Sequence, residues 1–343
     1  MSETRGGGYT RKHMRTTQDR AQGCAVGAAI GDALGMPLEF GPRRPAGRMV
    51  REMTEGRLPP GTFTDDTEMA LALADGLLAQ RSLAPADDPA GLAGTIAQRF
   101  VAWYQAGPSD VGNHTRSVLA RIAAGETWER AVNAVQRGRP DSAGNGSVMR
   151  CWPVALARWN DLDRLLAGSR RQSQVTHPHP ECVAGSAFVN VTIYYLLRGA
   201  SPEEAVTKAL ETVEMPEPLR ATIEAAPGRR REELENSGWV RHTLESAVWG
   251  LLTTGSFEEA AVQVVNLGHD ADTAGTVVGA LAGAAYGLEA IPSRWREAVR
   301  GEWPLGSQHI WRADDLARLA DQLQACSNDC SGDFSRWPGR KSD

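Results

Sequence analysis

The chain has 343 residues, 41% hydrophobic and 23% charged, with a formal net charge of −5. This composition supports a sizeable core and excludes broad disorder, and the acidic balance argues against a dominant nucleic-acid or anionic-membrane surface while leaving a small anionic ligand open. No apolar stretch of signal-peptide or bilayer-spanning length occurs, so a cytoplasmic protein with no membrane partner is expected.

Residues 1–18 carry charges and glycines without periodicity and read as a disordered extension. From there, apolar residues recur at three- and four-residue steps in QGCAVGAAIGDALGM, EMALALADGLLAQ, SVMRCWPVALARW, GSAFVNVTIYYLLRG and VRHTLESAVWGLLTTG, which implies helix after helix. VNVTIYY is β-branched and aromatic enough for a strand, but its run has helical length and no turn residues, so it too is assigned to a helix. The breaks RSLAPADDPAG, QAGPSD, RGRPDSAGNG, THPHPE and EMPEPLR are short, which favours one compact all-α domain over residues 19–327 and a polar, disordered tail over 328–343. Cys24, Cys151, Cys182, Cys326 and Cys330 are odd in number and scattered, so they are read as free thiols. Cys326 and Cys330 alone are too few for a zinc site.

Gly23, Gly27, Gly31 and Gly35 recur every four residues, and so do Gly275, Gly279, Gly283 and Gly287. Each series lines one helical face, and an interior glycine costs roughly 1 kcal/mol relative to alanine, so the stripes are expected to permit close backbone packing. A membrane role is excluded because the second helix is too short. Two such helices packed at the centre would bring their flanking acidic segments together.

Those segments are FTDDT, with Thr64, Asp65 and Asp66, and GHDADT, with Asp270, Asp272 and Thr273. Either alone reads as a helix cap. Together they offer four carboxylates and two hydroxyls, far more than capping needs. Four like charges in one small volume raise one another's pKa unless cations neutralise them. The donors are hard oxygens without a Cys/His cluster, which favours magnesium or manganese over zinc, copper or calcium. His269, beside Asp270, is assigned to supporting or packing roles.

GDALGMPLEF, FTDDTEMALALADG, SDVGNHTR, GNGSVMR, THPHPE and GHDADTAGTVVGALAGAAYG resemble, in this order, the motifs of the ADP-ribosylglycohydrolase family. The resemblance runs from about Gly23 to about Trp311 and is nearest to the branch that activates dinitrogenase reductase by cleaving ADP-ribosyl-arginine. It implies an all-α hydrolase with two divalent cations, Mg2+ or Mn2+, held by Thr64, Asp65, Asp66, Asp270, Asp272 and Thr273. It further implies a catalytic carboxylate at Glu39 that orients or deprotonates water, and an acceptor-recognising carboxylate at Asp110, suited to a guanidinium. Gly144, Asn145, Gly146, Ser147 and His177 are implied to line the ADP-ribose pocket, where exposed backbone N–H groups before a helix suit an anion. The implied partner is an ADP-ribosylated protein, with arginine favoured as acceptor, ADP-ribose as product and a monomeric enzyme. Hydrolysis of a serine-linked or small-molecule ADP-ribosyl bond, or silent ADP-ribose binding, are the alternatives.

Overall fold

The computed structural model describes residues 15–83 and 89–326, with the side chains of 81–83 and 89–90 set aside. Fifteen α-helices fill the described residues: α1 Thr17–Gly35, α2 Asp65–Leu83, α3 Pro89–Gln105, α4 Asn113–Ala123, α5 Trp128–Gly138, α6 Trp152–Ala157, α7 Leu162–Gln174, α8 Pro180–Leu197, α9 Pro202–Thr212, α10 Glu217–Ala225, α11 Val240–Thr253, α12 Phe257–Val265, α13 Ala271–Tyr286, α14 Ser293–Ala298 and α15 Ala313–Ala325. Many starts carry the expected caps. Thr16, Thr127, Asp161 and Ser256 each accept a first-turn N–H, and Ser201 forms a reciprocal capping box with Glu204. VNVTIYY lies inside α8, which is buried on nearly every side; an element apolar all round satisfies its backbone internally and packs in the core. None of the described helices is long and apolar enough to cross a membrane.

The centre is the antiparallel pair of α1 and α13, each buried from Gly23 to Gly35 and from Ala271 to Ala285. Gly23 faces Gly283, Gly27 faces Gly279 and Gly31 faces Gly275. A Cβ placed on Gly31 would lie 1.9 Å from the Gly275 carbonyl oxygen, and one on Gly279 would lie 2.1 Å from that of Gly27. The two backbones touch with no room for a methyl group. The fourth step departs from the stripe: Gly35 meets Ala271, while Gly287 ends α13 at φ +77° beside the Asp19 carboxylate. There glycine is required by backbone conformation rather than by the helix contact.

A two-stranded antiparallel ribbon, β1 Arg300–Glu302 and β2 Ile310–Arg312, pairs Gly301 with Trp311. It fixes the approach to α2. Phe63 N–H donates to Arg300 O, Arg300 N–H donates to Gly61 O, and the Phe63 ring occupies the space a side chain on Gly301 would need. The first described helix begins at Thr17, and Cys330 with the rest of the tail beyond 326 lies outside the described residues. Cys24, Cys151 and Cys182 are buried free thiols.

Candidate active site

The acidic cluster sits at the end of the glycine contact where α1 finishes and α13 begins, with α2 entering beside it. Neither acidic segment spends its side chains as a simple cap. Asp270 flanks α13 but makes no side-chain cap bond, and the first turn of α2 is tied down from another helix by Asp32 of α1. The Asp32 carboxylate accepts from the Thr64 N–H at 2.9 Å, the Thr64 hydroxyl at 2.9 Å, the Thr67 N–H at 3.1 Å and the Thr67 hydroxyl at 2.6 Å. Capping is thus delegated to Asp32, leaving Asp65 and Asp66 for the cluster.

Across the helix contact, the Thr273 and Thr276 hydroxyls donate to Asp66 at 3.2 and 3.0 Å. Asp272 accepts from the Thr273 N–H at 2.9 Å. Glu39, Asp270 and Asp272 present oxygens within 4.8 Å of one another. Glu39 is brought there by a backbone clamp: the Phe40 N–H donates to His269 O at 2.6 Å and the His269 N–H to Gly41 O at 2.8 Å, with both Phe40 and His269 at positive φ. Non-glycine residues rarely accept that conformation, so the clamp marks a place where position outweighs backbone ease. The His269 side chain itself is exposed.

Burial is the first cause that pushes the carboxyls of Asp66 and Asp272 well above their ordinary range. Like charges on Asp32, Asp65 and Asp270 add to it at Asp66, and those on Asp66, Glu39 and Asp270 at Asp272. Asp65 is raised in the same way, by burial and then by Asp110 and Asp32. Glu68, buried and bonded to the Trp103 indole at 2.8 Å, is raised to about 7. Six oxygen-bearing side chains from two segments, mostly buried and short of positive charge, fit hard divalent cations.

One positive group does reach the cluster. Arg57 places Nη2 2.8 Å from Glu39 Oε2, an ion-pair contact off the hydrogen-bonding direction, and 3.4 Å from Asp272 Oδ2, while Nη1 donates to Asp110 Oδ2 at 2.5 Å. Asp110 therefore stands at the edge of the cluster, bound to a guanidinium. Burial alone would lower the pKa of Arg57, but Glu39, Asp110 and Asp272 outweigh it and the result is a rise.

On the opposite side, the Asn145 amide donates to Asp270 at 2.7 Å, so the GNG turn is tied to the cluster. Its backbone pairs with the strand-like segment before α11, and the N–H groups of Gly146 and Ser147 have no backbone acceptor among the described residues. The Ser147 hydroxyl is fully buried and taken by Ser173 and Ser186. Only its backbone remains for a ligand. His177 lies against the turn: a Cβ on Gly146 would be 3.0 Å from Nε2. His179 instead accepts the Glu181 N–H at the start of α8, so the two histidines of THPHPE separate into a pocket residue and a cap.

Hydrogen-bond accounting fixes the ring of His177. The buried Thr176 hydroxyl accepts from Arg150 Nη2 at 2.6 Å and lies 2.8 Å from His177 Nδ1. Its own proton has no other acceptor among the described residues, so it is given to Nδ1, and His177 carries its proton on Nε2, toward the GNG turn. Burial, followed by the nearby His114 and Arg150, lowers the pKa of His177 and keeps it neutral. His114 stacks on it with ring centroids 4.7 Å apart and donates from Nε2 to the Thr176 carbonyl.

Sequence reasoning passed over Asp32, Arg57, Thr176 and Thr276. A lone charge in the apolar, glycine-lined stretch from Gly23 to Gly35 was a usable signal for Asp32. Nothing in TEGRLPPG distinguishes Arg57 from a surface arginine.

Comparison with known proteins places the chain in a family. The profile of the ADP-ribosylglycohydrolase family matches residues 13–331. The chain is 35% identical over 319 residues to ADP-ribosylarginine hydrolase Tri1 of Serratia proteamaculans, covering 89% of this chain and 79% of that one. It is 33% identical over 286 residues to the ADP-ribosyl-[dinitrogen reductase] glycohydrolase of Rhodospirillum rubrum, covering 82% and 90%. A solved ADP-ribosylglycohydrolase-related protein complex superposes with a TM-score of 0.73 at 36% identity, over 91% of this chain and 99% of that one. With the paired acidic segments, the helix contact that joins them and these likenesses in agreement, the chain belongs to the ADP-ribosylglycohydrolase family.

Proposed function

We propose that the protein is a metal-dependent hydrolase that removes ADP-ribose from a modified arginine side chain by cleaving the N-glycosidic bond. The arginine reading is carried by one observation: the mouth of the acidic cluster accommodates a guanidinium, that of Arg57, against Asp110 and Glu39. It is supported by the relatives named for ADP-ribosylarginine and for ADP-ribosyl-dinitrogen reductase. A serine acceptor leaves as a neutral hydroxyl and gives the Asp110 carboxylate no positive charge to pair with.

Thr64, Asp65, Asp66, Asp270, Asp272 and Thr273 would hold two Mg2+ or Mn2+ ions. When bound, such ions neutralise the carboxylates and supply Lewis-acid polarisation of ribose and water oxygens. Glu39 orients a water and takes its proton as the water oxygen bonds to the anomeric carbon and the carbon–nitrogen bond breaks. Without cations, burial raises the pKa of Glu39 above the ordinary glutamate range. Asp110 holds the departing group, which leaves as guanidinium once it regains that proton. Positive charge developing on the ribose faces the carboxylates. The GNG turn presents N–H groups to oxygens of ADP-ribose, and His177 adds a neutral Nε2–H donor. The protein acts as a cytoplasmic monomer in this reading.

The test is release of ADP-ribose from an ADP-ribosyl-arginine peptide and from a serine-linked one, after chelation and after stepwise return of Mn2+. Cation-dependent cleavage of the arginine linkage is expected. Equal cleavage of both would remove the acceptor assignment, turnover in chelator would remove the metal assignment, and ADP-ribose binding without turnover would leave a silent binder.

A further inference from the structure

We propose that Arg57 competes with the divalent cations for Glu39 and Asp272: its guanidinium occupies these carboxylates, and cations enter by exchange with it. The inference rests on the metal-dependent reading above.

Arg57 is the only arginine described against Glu39, Asp110 and Asp272, and it reaches all three from one side-chain position. Its backbone is anchored next door. A Cβ on Gly56 would lie 2.7 Å from Pro37 Cα and 2.8 Å from Met36 Sδ, so the segment packs directly on the turn that carries Glu39. The side chain is partly exposed, and its polar partners among the described residues are the three carboxylates.

Joint occupancy with a divalent ion is unfavourable. An ion ligated by Asp272 Oδ2 would sit about 2–2.5 Å from that oxygen, while Arg57 Nη2 is 3.4 Å from the same atom. Like charges that close, in a partly buried site, repel strongly. Loading therefore expels the guanidinium from Asp272 and Glu39, whose carboxylates the cations then neutralise.

The experiment uses Arg57→Ala and Arg57→Lys in the full chain, with Mn2+ affinity measured by calorimetry and kcat/KM measured on arginine- and serine-linked substrates. Arg57→Ala should bind Mn2+ roughly tenfold more tightly, the worth of about one charge-assisted bond, and kcat/KM at limiting Mn2+ should rise on both substrates alike. Arg57→Lys, a cation without the planar fork, should fall between. Weaker or unchanged Mn2+ binding by a normally folded Arg57→Ala overturns the proposal. Absence of Mn2+ binding by the wild type removes the metal reading and this inference with it. Tighter binding by a variant of an enzyme that never prefers arginine would remove the acceptor reading while the exchange with cation stands.

Discussion

The glycine contact and the acidic cluster occupy two stretches of the same helix pair, and they use close approach to opposite ends. Along Gly23–Gly31 and Gly275–Gly283 the backbones meet with nothing between them, and contact stabilises. Where α13 begins, the same approach forces buried carboxylates together, and contact costs: every cluster aspartate is pushed above its ordinary pKa. The helix N-termini of α2 and α13 offset part of that cost, since their partial positive charge favours acids in the first turn. The fold thus holds a strained charge cluster with an uncharged clamp. Changes on one side should affect chemistry with little loss of stability, and changes on the other should affect both.

The sharpest break is Asp66→Ala or Asp272→Ala. Turnover should fall by about a hundredfold or more, with weaker Mn2+ binding, because a proposed ligand to the cations is lost. Helical content should persist, and the metal-free melting temperature should stay level or rise, since a buried like charge has been removed. Full turnover in both variants at limiting Mn2+ would sink the ligand assignment. The cluster also sets a pH dependence. Carboxyls raised in the folded state favour folding when protonated, so their contribution is complete below the unfolded carboxyl range and is lost as pH climbs through the raised values, to about 7 for Glu68. Metal-free protein should therefore lose melting temperature from mildly acid to neutral pH, and Mn2+ should flatten that slope.

Gly279→Leu strikes the clamp. With a Cβ already 2.1 Å from the Gly27 carbonyl oxygen, the helices must part, and the loss should reach or exceed the usual overpacking cost of about 1–3 kcal/mol. Because the stripe positions the cluster, Mn2+ affinity should fall too. An unchanged melting temperature would remove the clamp from the account.

The clamp was legible in sequence because its signal is periodic: glycine every fourth residue predicts a face, and two such faces predict a contact. The acidic segments were legible as a pair for the same reason. What escaped were residues whose importance comes from a partner distant in sequence. Asp32 matters because it accepts four bonds from Thr64 and Thr67, and Arg57 matters because a turn carries it into carboxylates from three other segments. The stripe also misled at Gly287, which continues the spacing but serves a helix end. Ser147 belongs to the motif read as a ligand turn, yet its hydroxyl is spent inside the core.

At the cluster's edge, Asp110→Asn separates acceptor recognition from cation binding. Size is nearly kept and charge is lost, so kcat/KM on the arginine linkage should fall by roughly ten- to a hundredfold, the worth of a charge-assisted hydrogen bond. The serine-linked substrate should be affected much less, and Mn2+ affinity should stay near that of the wild type. Equal losses on both substrates would make Asp110 a general structural or catalytic group.

The smallest effect is expected outside both regions, at Thr176→Val. Removing the hydroxyl leaves Arg150 its bonds to Gln172 but deprives His177 Nδ1 of its donor, so the ring is free to place its proton on either nitrogen. Stability should drop by about 1 kcal/mol. KM should rise a few-fold at nearly constant kcat, because the Nε2–H donor faces the proposed ADP-ribose turn rather than the bond being broken. Nitrogen-15 spectra of labelled histidine should show Nδ1 unprotonated in the wild type and a mixed population in the variant, while Thr176→Ser, which restores the hydroxyl, should return the wild-type pattern. A wild-type spectrum with the proton on Nδ1 would reverse the accounting at Thr176 and turn Nε2 into an acceptor. The GNG turn would then need a donor from its ligand, and a ribose hydroxyl rather than a phosphate oxygen would be the group that His177 meets.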